Sequence, residues 1–175
     1  NKLISLPDVP VDRAVQNLVD RKALVLEEGT GVYLPSFYEY ERKSAQMLAS
    51  LLAPSDINLD FEPFLKAYEK GNRICLSEAQ RQAVMLLGQH RVLVLTGLPG
   101  TGKTTAVRAL VRLFEEARIS FALMAPTGIA AKRLAAVTSK NASTIHRALG
   151  YDGESWRRSP DNKYIVDAVI VDEVS

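Results

Sequence analysis

Gly97-Leu98-Pro99-Gly100-Thr101-Gly102-Lys103-Thr104 matches the spacing G-x-x-x-x-G-K-[ST], which is built for phosphate chemistry. Its glycines let the backbone curl until successive N–H groups converge on phosphate oxygens. A helix expected to open at Lys103 turns its positive end toward the same anion. Lys103 is then placed to reach the β- and γ-phosphates of a nucleotide, and the Thr104 hydroxyl to hold Mg²⁺. The expected nucleotide-binding residues are Gly97, Pro99, Gly100, Thr101, Gly102, Lys103, Thr104 and Thr105. The alternative is a glycine-rich loop with no ligand. The context argues against it, because an apolar run precedes the loop and a helical pattern follows it.

A second pair of residues supports the first. Ala168-Val169-Ile170-Val171 runs straight into Asp172-Glu173. Such a strand delivers two adjacent carboxylates to the carboxyl edge of a sheet, where ligands bind in α/β folds. Asp172 is expected to hold Mg²⁺ through its water shell and Glu173 to activate the attacking water. Lys103 and Glu173 are therefore the catalytic candidates, with Thr104 and Asp172 at the metal. A kinase needs no water-activating carboxylate, so the pair favours ATP hydrolysis over transfer to a small acceptor. Solvated acids capping a strand are the plainer reading of the pair taken alone.

Gln80 carries two readings. Ser77-Glu78-Ala79-Gln80 has the spacing of a capping box, in which Gln80 folds back on the backbone N–H of Ser77. A side-chain amide can also pair with N6 and N7 of adenine.

The elements that must position these residues are legible in the periodicity. Residues 91–96 (RVLVLT) form an apolar run and are expected to be a strand buried on both faces of a parallel sheet. A helix is expected from Lys103 to about Ala117, burying Val107, Leu110, Val111 and Phe114. FALMA (121–125) reads as the next strand, 128–137 as a helix, and a short helix begins near Thr144. Residues 150–164 read as a polar loop. No aromatic ladder for stacking bases is evident in the sequence. Strands alternating with helices imply an α/β parallel sheet with helices on both faces.

Upstream the pattern differs. Residues 11–22 place Val11, Ala14, Val15, Leu18 and Val19 on one helical face. A hairpin turning at Gly29-Thr30-Gly31 follows, then a helix from about Ser36 to Leu52, closed by Pro54. Helix, hairpin, helix is the outline of a small winged-helix-like α+β module. Such a module serves either DNA contact or packing, and no concentrated basic face marks a recognition helix. The expected organisation is a module at 1–54, a helical connector at 55–73, and an α/β unit at 74–175.

Composition bounds the partners. The 175 residues carry a net charge of +2, with 47% hydrophobic and 24% charged residues. That is ordinary for a globular chain. Seven basic residues between Arg118 and Arg158 face only Asp152 and Glu154, which suits either a polyanion or a solvated surface. No apolar run approaches the roughly 20 residues needed to span a bilayer, so no membrane association is expected. Cys75 is the sole cysteine, which excludes an internal disulfide and fits a reducing cytoplasm. The chain starts at Asn1 with no signal-peptide pattern and reads as a segment of something longer.

LSEAQRQAV, GLPGTGKTT, APTGIAAKRL, STIHRALG and VDEVS occur in that order. Together they resemble the RecD-like helicases of superfamily 1, the group that contains the exonuclease V alpha subunit. The resemblance covers most of the chain and is strongest from Leu76 onward. It implies a P-loop NTPase (RecA-like) fold, in a motor of two lobes with ATP between them, moving 5′ to 3′ on single-stranded DNA. It implies that Gln80 reads adenine and that Pro126, Thr127, Gly128, Thr144 and His146 touch DNA. Read from the residues alone, Thr127 and Thr144 also suit helix N-caps, and His146 a packed histidine. The family's arginine fingers lie in the second lobe, so this chain by itself is expected to hydrolyse ATP poorly. A P-loop kinase or other NTPase, and a non-catalytic ATP-sensing module, are the competing readings.

Overall fold

The computed structural model describes residues 11–27, 29, 31–52, 60–98 and 100–173. Thr30 of the expected turn, Pro54 and Pro99 of the loop lie outside these. The chain separates into two compact units, Asn1–Pro54 and Ser55–Ser175.

In the first unit, helix α1 (Val11–Asp20) precedes strands β1 (Val25–Glu27) and β2 (Gly31–Tyr33), and helix α2 (Pro35–Leu51) follows. The two strands pair antiparallel, with Leu26 opposite Val32. Pro35 stands at the first position of α2, where a missing N–H costs nothing. Neither helix of this unit has a buried residue: Val15 and Val19 of α1 are half-buried and the rest of its apolar face is exposed.

The second unit holds helices α3 (Glu62–Asn72), α4 (Glu78–Leu87), α5 (Lys103–Glu116), α6 (Gly128–Thr138) and α7 (Ile145–Leu149). Its strands are β3 (Phe121–Ala125), β4 (Ala142–Thr144) and β5 (Ala168–Val171). They form one parallel sheet in the order β4-β3-β5, with Leu123 opposite both Ala142 and Ile170. It is an α/β fold with helices around a parallel sheet.

Helix α5 is the centre of the packing. It buries Ala106, Ala109, Leu110, Val111, Leu113 and Phe114, a wider face than the expected stripe. Two groups of side chains explain the width. Leu110, Ala109 and Leu113 meet Phe61, Leu65 and Tyr68 around α3, and Leu76 and Val84 around α4. Val111 meets Leu123 of β3 and Leu134 of α6. Ile170 packs against both groups. Side chains alternate between faces along a strand. Leu123 and Ile170 therefore meet the helices, while Ala122 and Met124, on the other face of β3, are buried as well.

One expected strand is not formed. Residues 92–98 have no regular secondary structure, and Val94 is 78% exposed. An apolar run becomes a strand only where a neighbour offers an unpaired ladder. No described strand pairs with this segment. Conversely β4, too short and polar to read from sequence, is a strand because β3 pairs with it.

Two polar clamps tie the layers. Arg81 of α4 bonds Glu62 at 2.7 Å and Glu69 at 2.5 Å, both on α3. The Leu76 N–H and Arg81 hold the Glu69 carboxyl below its usual range. Asp167, just before β5, accepts from the Ser120 N–H at 2.9 Å and its hydroxyl at 2.5 Å. Those bonds depress the Asp167 pKa and pin the start of β5 to the start of β3.

Candidate nucleotide site

The loop from Gly97 to Gly102 folds back on itself. The Thr101 N–H and hydroxyl both donate to the Leu98 carbonyl, at 3.3 and 2.9 Å. A Cβ at Gly97 would stand 2.7 Å from the Thr101 hydroxyl oxygen, so only glycine admits this closure. Gly102 has φ of 84° and is the N-cap of α5. The Thr105 N–H closes the first turn onto the Gly102 carbonyl at 2.9 Å. The Lys103 and Thr104 N–H groups, earlier in that turn, have no acceptor within an α-helix and are the donors such a terminus offers an anion. The Lys103 ammonium donates to the carbonyl oxygens of Gly97 and Leu98, the latter at 3.0 Å.

Gln80 joins this loop to α4. Its Oε1 accepts from the Ser77 N–H at 2.8 Å, and its own N–H donates to the Ser77 hydroxyl at 3.3 Å. The capping box is thus formed. Its Nε2 also donates to the Gly102 carbonyl at 3.1 Å. A Cβ at Gly102 would meet that nitrogen at 2.1 Å, a second reason for glycine there. One N–H and one lone pair of the amide remain beyond these bonds, and they are the donor and acceptor that an adenine edge requires.

A cleft of about 500 Å³ brings the separate sequence signals together. Gly100, Thr101, Gly102, Lys103 and Thr104 line one side. Asp172 and Glu173 line it from the end of β5, and Arg133 from α6. The Asp172 N–H bonds the Met124 carbonyl at 3.0 Å, extending the ladder to that residue. Glu173 leaves the strand with φ of 55°, the left-handed region. Its Oε1 is 3.2 Å from Nη1 of Arg133. Arg133 was not among the candidates from sequence. It lies in the APTGIAAKRL run, but its partner is 40 positions away.

The expected DNA-contacting residues lie at the carboxyl ends of β3 and β4. Thr127 is the N-cap of α6, accepting from the Ala130 N–H at 3.2 Å, and Pro126 and Gly128 flank it. Thr144 is the N-cap of α7, accepting from the Arg147 N–H at 3.2 Å. His146 is exposed and stacks on Trp156, with ring centroids 5.4 Å apart. Tyr151 completes the group, 4.5 Å from Trp156 and 5.5 Å from His146. The sequence shows no aromatic ladder, whereas the fold gathers these three rings into one cluster. An antiparallel bridge between Tyr151 and Trp156 folds the segment back and gathers the rings.

Among the described residues, no set of three or more His, Cys, Asp or Glu side chains could hold a metal. Thr104 and Asp172, a hydroxyl and a carboxylate, are among the oxygen donors that line the cleft. That fits Mg²⁺, which takes few protein ligands and completes its shell with phosphate and water. Among the described residues, no helix is long and apolar enough to cross a membrane.

Residues 80–175 match the AAA domain family model. The chain is 43% identical over 148 residues to the ATP-dependent RecD2 DNA helicase of Deinococcus radiodurans, covering 82% of this chain and 20% of that protein. It is 32% identical over 188 residues to the RecBCD enzyme subunit RecD of Mycobacterium tuberculosis, covering 93% of this chain and 32% of that subunit. Over 100 residues it is 31% identical to the ATP-dependent DNA helicase PIF1 of Trypanosoma brucei brucei, covering 57% of this chain and 10% of that protein. The chain thus spans a third or less of each of these relatives. With a phosphate loop, a carboxylate pair across the same cleft and this pattern of similarity, the chain belongs to the AAA domain family, in its RecD-like helicase branch.

Proposed function

We propose that this chain carries the ATP-binding part of a DNA helicase of RecD type, which hydrolyses ATP to move 5′ to 3′ along single-stranded DNA. The observation behind this reading is the single cleft shared by Lys103, Thr104, Asp172 and Glu173. In it the loop amides and Lys103 bind the phosphates. Thr104 and Asp172 hold Mg²⁺, which when bound neutralises charge developing on the phosphates. Glu173 takes the proton of the attacking water. Gln80 reads adenine with its remaining donor and acceptor. The strand ends bearing Pro126, Thr127 and Gly128, and Thr144 and His146, carry the DNA.

The ion pair to Arg133 adds a condition to this scheme. The Glu173 oxygen that accepts from Arg133 must leave that contact or share it to accept a proton from water.

The test is Lys103→Ala, followed by calorimetric titration with Mg-ATP and with adenosine. Loss of a charge-assisted contact predicts triphosphate affinity lower by roughly 10- to 100-fold, with adenosine affinity little changed. Equal triphosphate affinity in variant and parent refutes the assignment. Translocation polarity is tested in the protein by duplexes with a single 5′ or 3′ tail, and unwinding from the 3′ tail alone overturns the direction.

A further inference from the structure

We propose that His146, Tyr151 and Trp156 form a platform on which the bases of single-stranded nucleic acid stack. This inference rests on the DNA reading above and names the contact, which is with bases rather than phosphates.

The three rings lie within 5.5 Å of one another between centroids. They are not a buried core, since Trp156 is 47% and Tyr151 39% exposed. The segment carrying them is held in shape independently of the rings. The Arg157 N–H bonds the Gly150 carbonyl at 3.1 Å, and the Arg158 N–H bonds the Leu149 carbonyl at 3.0 Å. Gly150 has φ of 69°, and a Cβ there would meet the Arg157 Cβ at 2.7 Å. The Tyr151 hydroxyl donates to the Gly153 carbonyl at 2.7 Å, which fixes the ring at its edge. Part-exposed aromatic rings held in place by backbone bonds offer stacking area at little ordering cost.

Charge selects the partner. Arg147 and Arg157 are exposed and paired with no carboxylate among the described residues. Arg158 lies over the Tyr164 ring at 5.3 Å and bonds Asn162 and the Lys163 carbonyl. Of the three acids in this segment, Asp152 is turned into its own loop, accepting from the Glu154 and Ser155 N–H groups and the Ser155 hydroxyl, and Asp161 is exposed. Glu154 is exposed. Aromatic rings bordered by guanidinium groups suit a chain that alternates flat bases with phosphates, and stacking of this kind tolerates any base sequence.

Trp156 is the sole tryptophan of the chain, so its emission reports on the platform directly. The 175-residue chain is titrated with a short oligothymidylate and with an abasic strand of equal length. Expected are quenching by the oligothymidylate, none by the abasic strand, and weaker binding of the latter. Trp156→Ala and Tyr151→Ala should each weaken oligothymidylate binding by roughly 5- to 100-fold, the range one base–aromatic stack contributes. Trp156→Phe should restore most of it. Circular dichroism of each variant checks folding, and the emission of the parent chain decides the matter where a variant unfolds. Equal affinity for both strands with unchanged emission overturns the platform and leaves strand binding intact. Failure of both strands to bind overturns the platform together with the DNA reading.

Discussion

Arg133 and Glu173 meet 3.2 Å apart in the cleft that also holds the phosphate loop, although helix α6 and the end of β5 supply them separately. Both side chains are substantially exposed, at 71% and 49%. Pairs of this kind contribute about 0–1 kcal/mol to stability. The pair's consequence is therefore electrostatic and local to the site. Glu173→Gln leaves Arg133 uncompensated beside Lys103. That variant should bind ATP at least as tightly as the parent, while turnover falls by roughly 10²- to 10⁴-fold. Fluorescent-nucleotide titration and phosphate release measure the two effects. Weaker ATP binding would remove Glu173 from the role of base.

Gln80 can be divided into its two functions. Gln80→Glu keeps the acceptor for the Ser77 N–H but sets a carboxylate against the Gly102 carbonyl. It should retain the helix cap and lose nucleotide affinity. Ser77→Ala should do the reverse, costing about 0.5–2 kcal/mol of stability through the cap while sparing nucleotide binding. Thermal melts and nucleotide titration of both variants separate the cases. Equal effects of both substitutions on affinity would show that the cap alone matters.

Asp167 predicts an acid limb. Its carboxyl is held below the usual aspartate range by Ser120 in the folded chain, so it binds a proton less readily folded than unfolded. The stability this lends is present above the ordinary aspartate pKa of about 3.9 and lost as pH falls through the depressed value. Glu69, Glu115 and Asp152 are shifted in the same direction and add to the limb. Asp167→Asn should lower the melting temperature at neutral pH and flatten its acid dependence. An unchanged melting curve at pH 7 would mean that the Ser120 clamp is not stabilising.

Leu65 is fully buried among α3, α4 and α5. Leu65→Ala should cost about 2–5 kcal/mol, the range for a buried leucine truncated beside neighbours that cannot collapse. Because α5 begins at Lys103, nucleotide affinity should fall with it near the new melting temperature and not far below. Denaturant unfolding with and without Mg-ATP checks both parts. A loss under 1 kcal/mol would show that the three helices repack around the gap.

What was legible in the sequence was local. Ser77 with Gln80, and Thr127 and Thr144 as helix caps, follow from spacings of a few residues, and each cap is formed. What was not legible depends on distant partners. RVLVLT is apolar enough for a buried strand, but pairing is decided by a neighbouring ladder and not by the run itself. Ala142-Ser143-Thr144 has little strand character and is a strand only beside Leu123-Met124-Ala125. Arg133 resembles any surface arginine on a helix until Glu173 arrives beside it. Tyr151 and Trp156 sit in a polar stretch, and only the fold-back at Gly150 brings them to His146.

The single amide of Gln80 ties the first turn of α4 to the first turn of α5 through the Gly102 carbonyl. A displacement of the phosphate loop therefore pulls on the end of a helix whose Ala83 and Val84 are anchored in the interior. Occupancy of the loop becomes audible at a distance, as slower amide exchange at Gln80 and Arg81, without any label on the nucleotide. The same tether sets a mechanical limit. The loop can open at Gly102 only as far as one hydrogen bond stretches, or else it must release the Gln80 Nε2, while the cap between Gln80 and Ser77 stays closed.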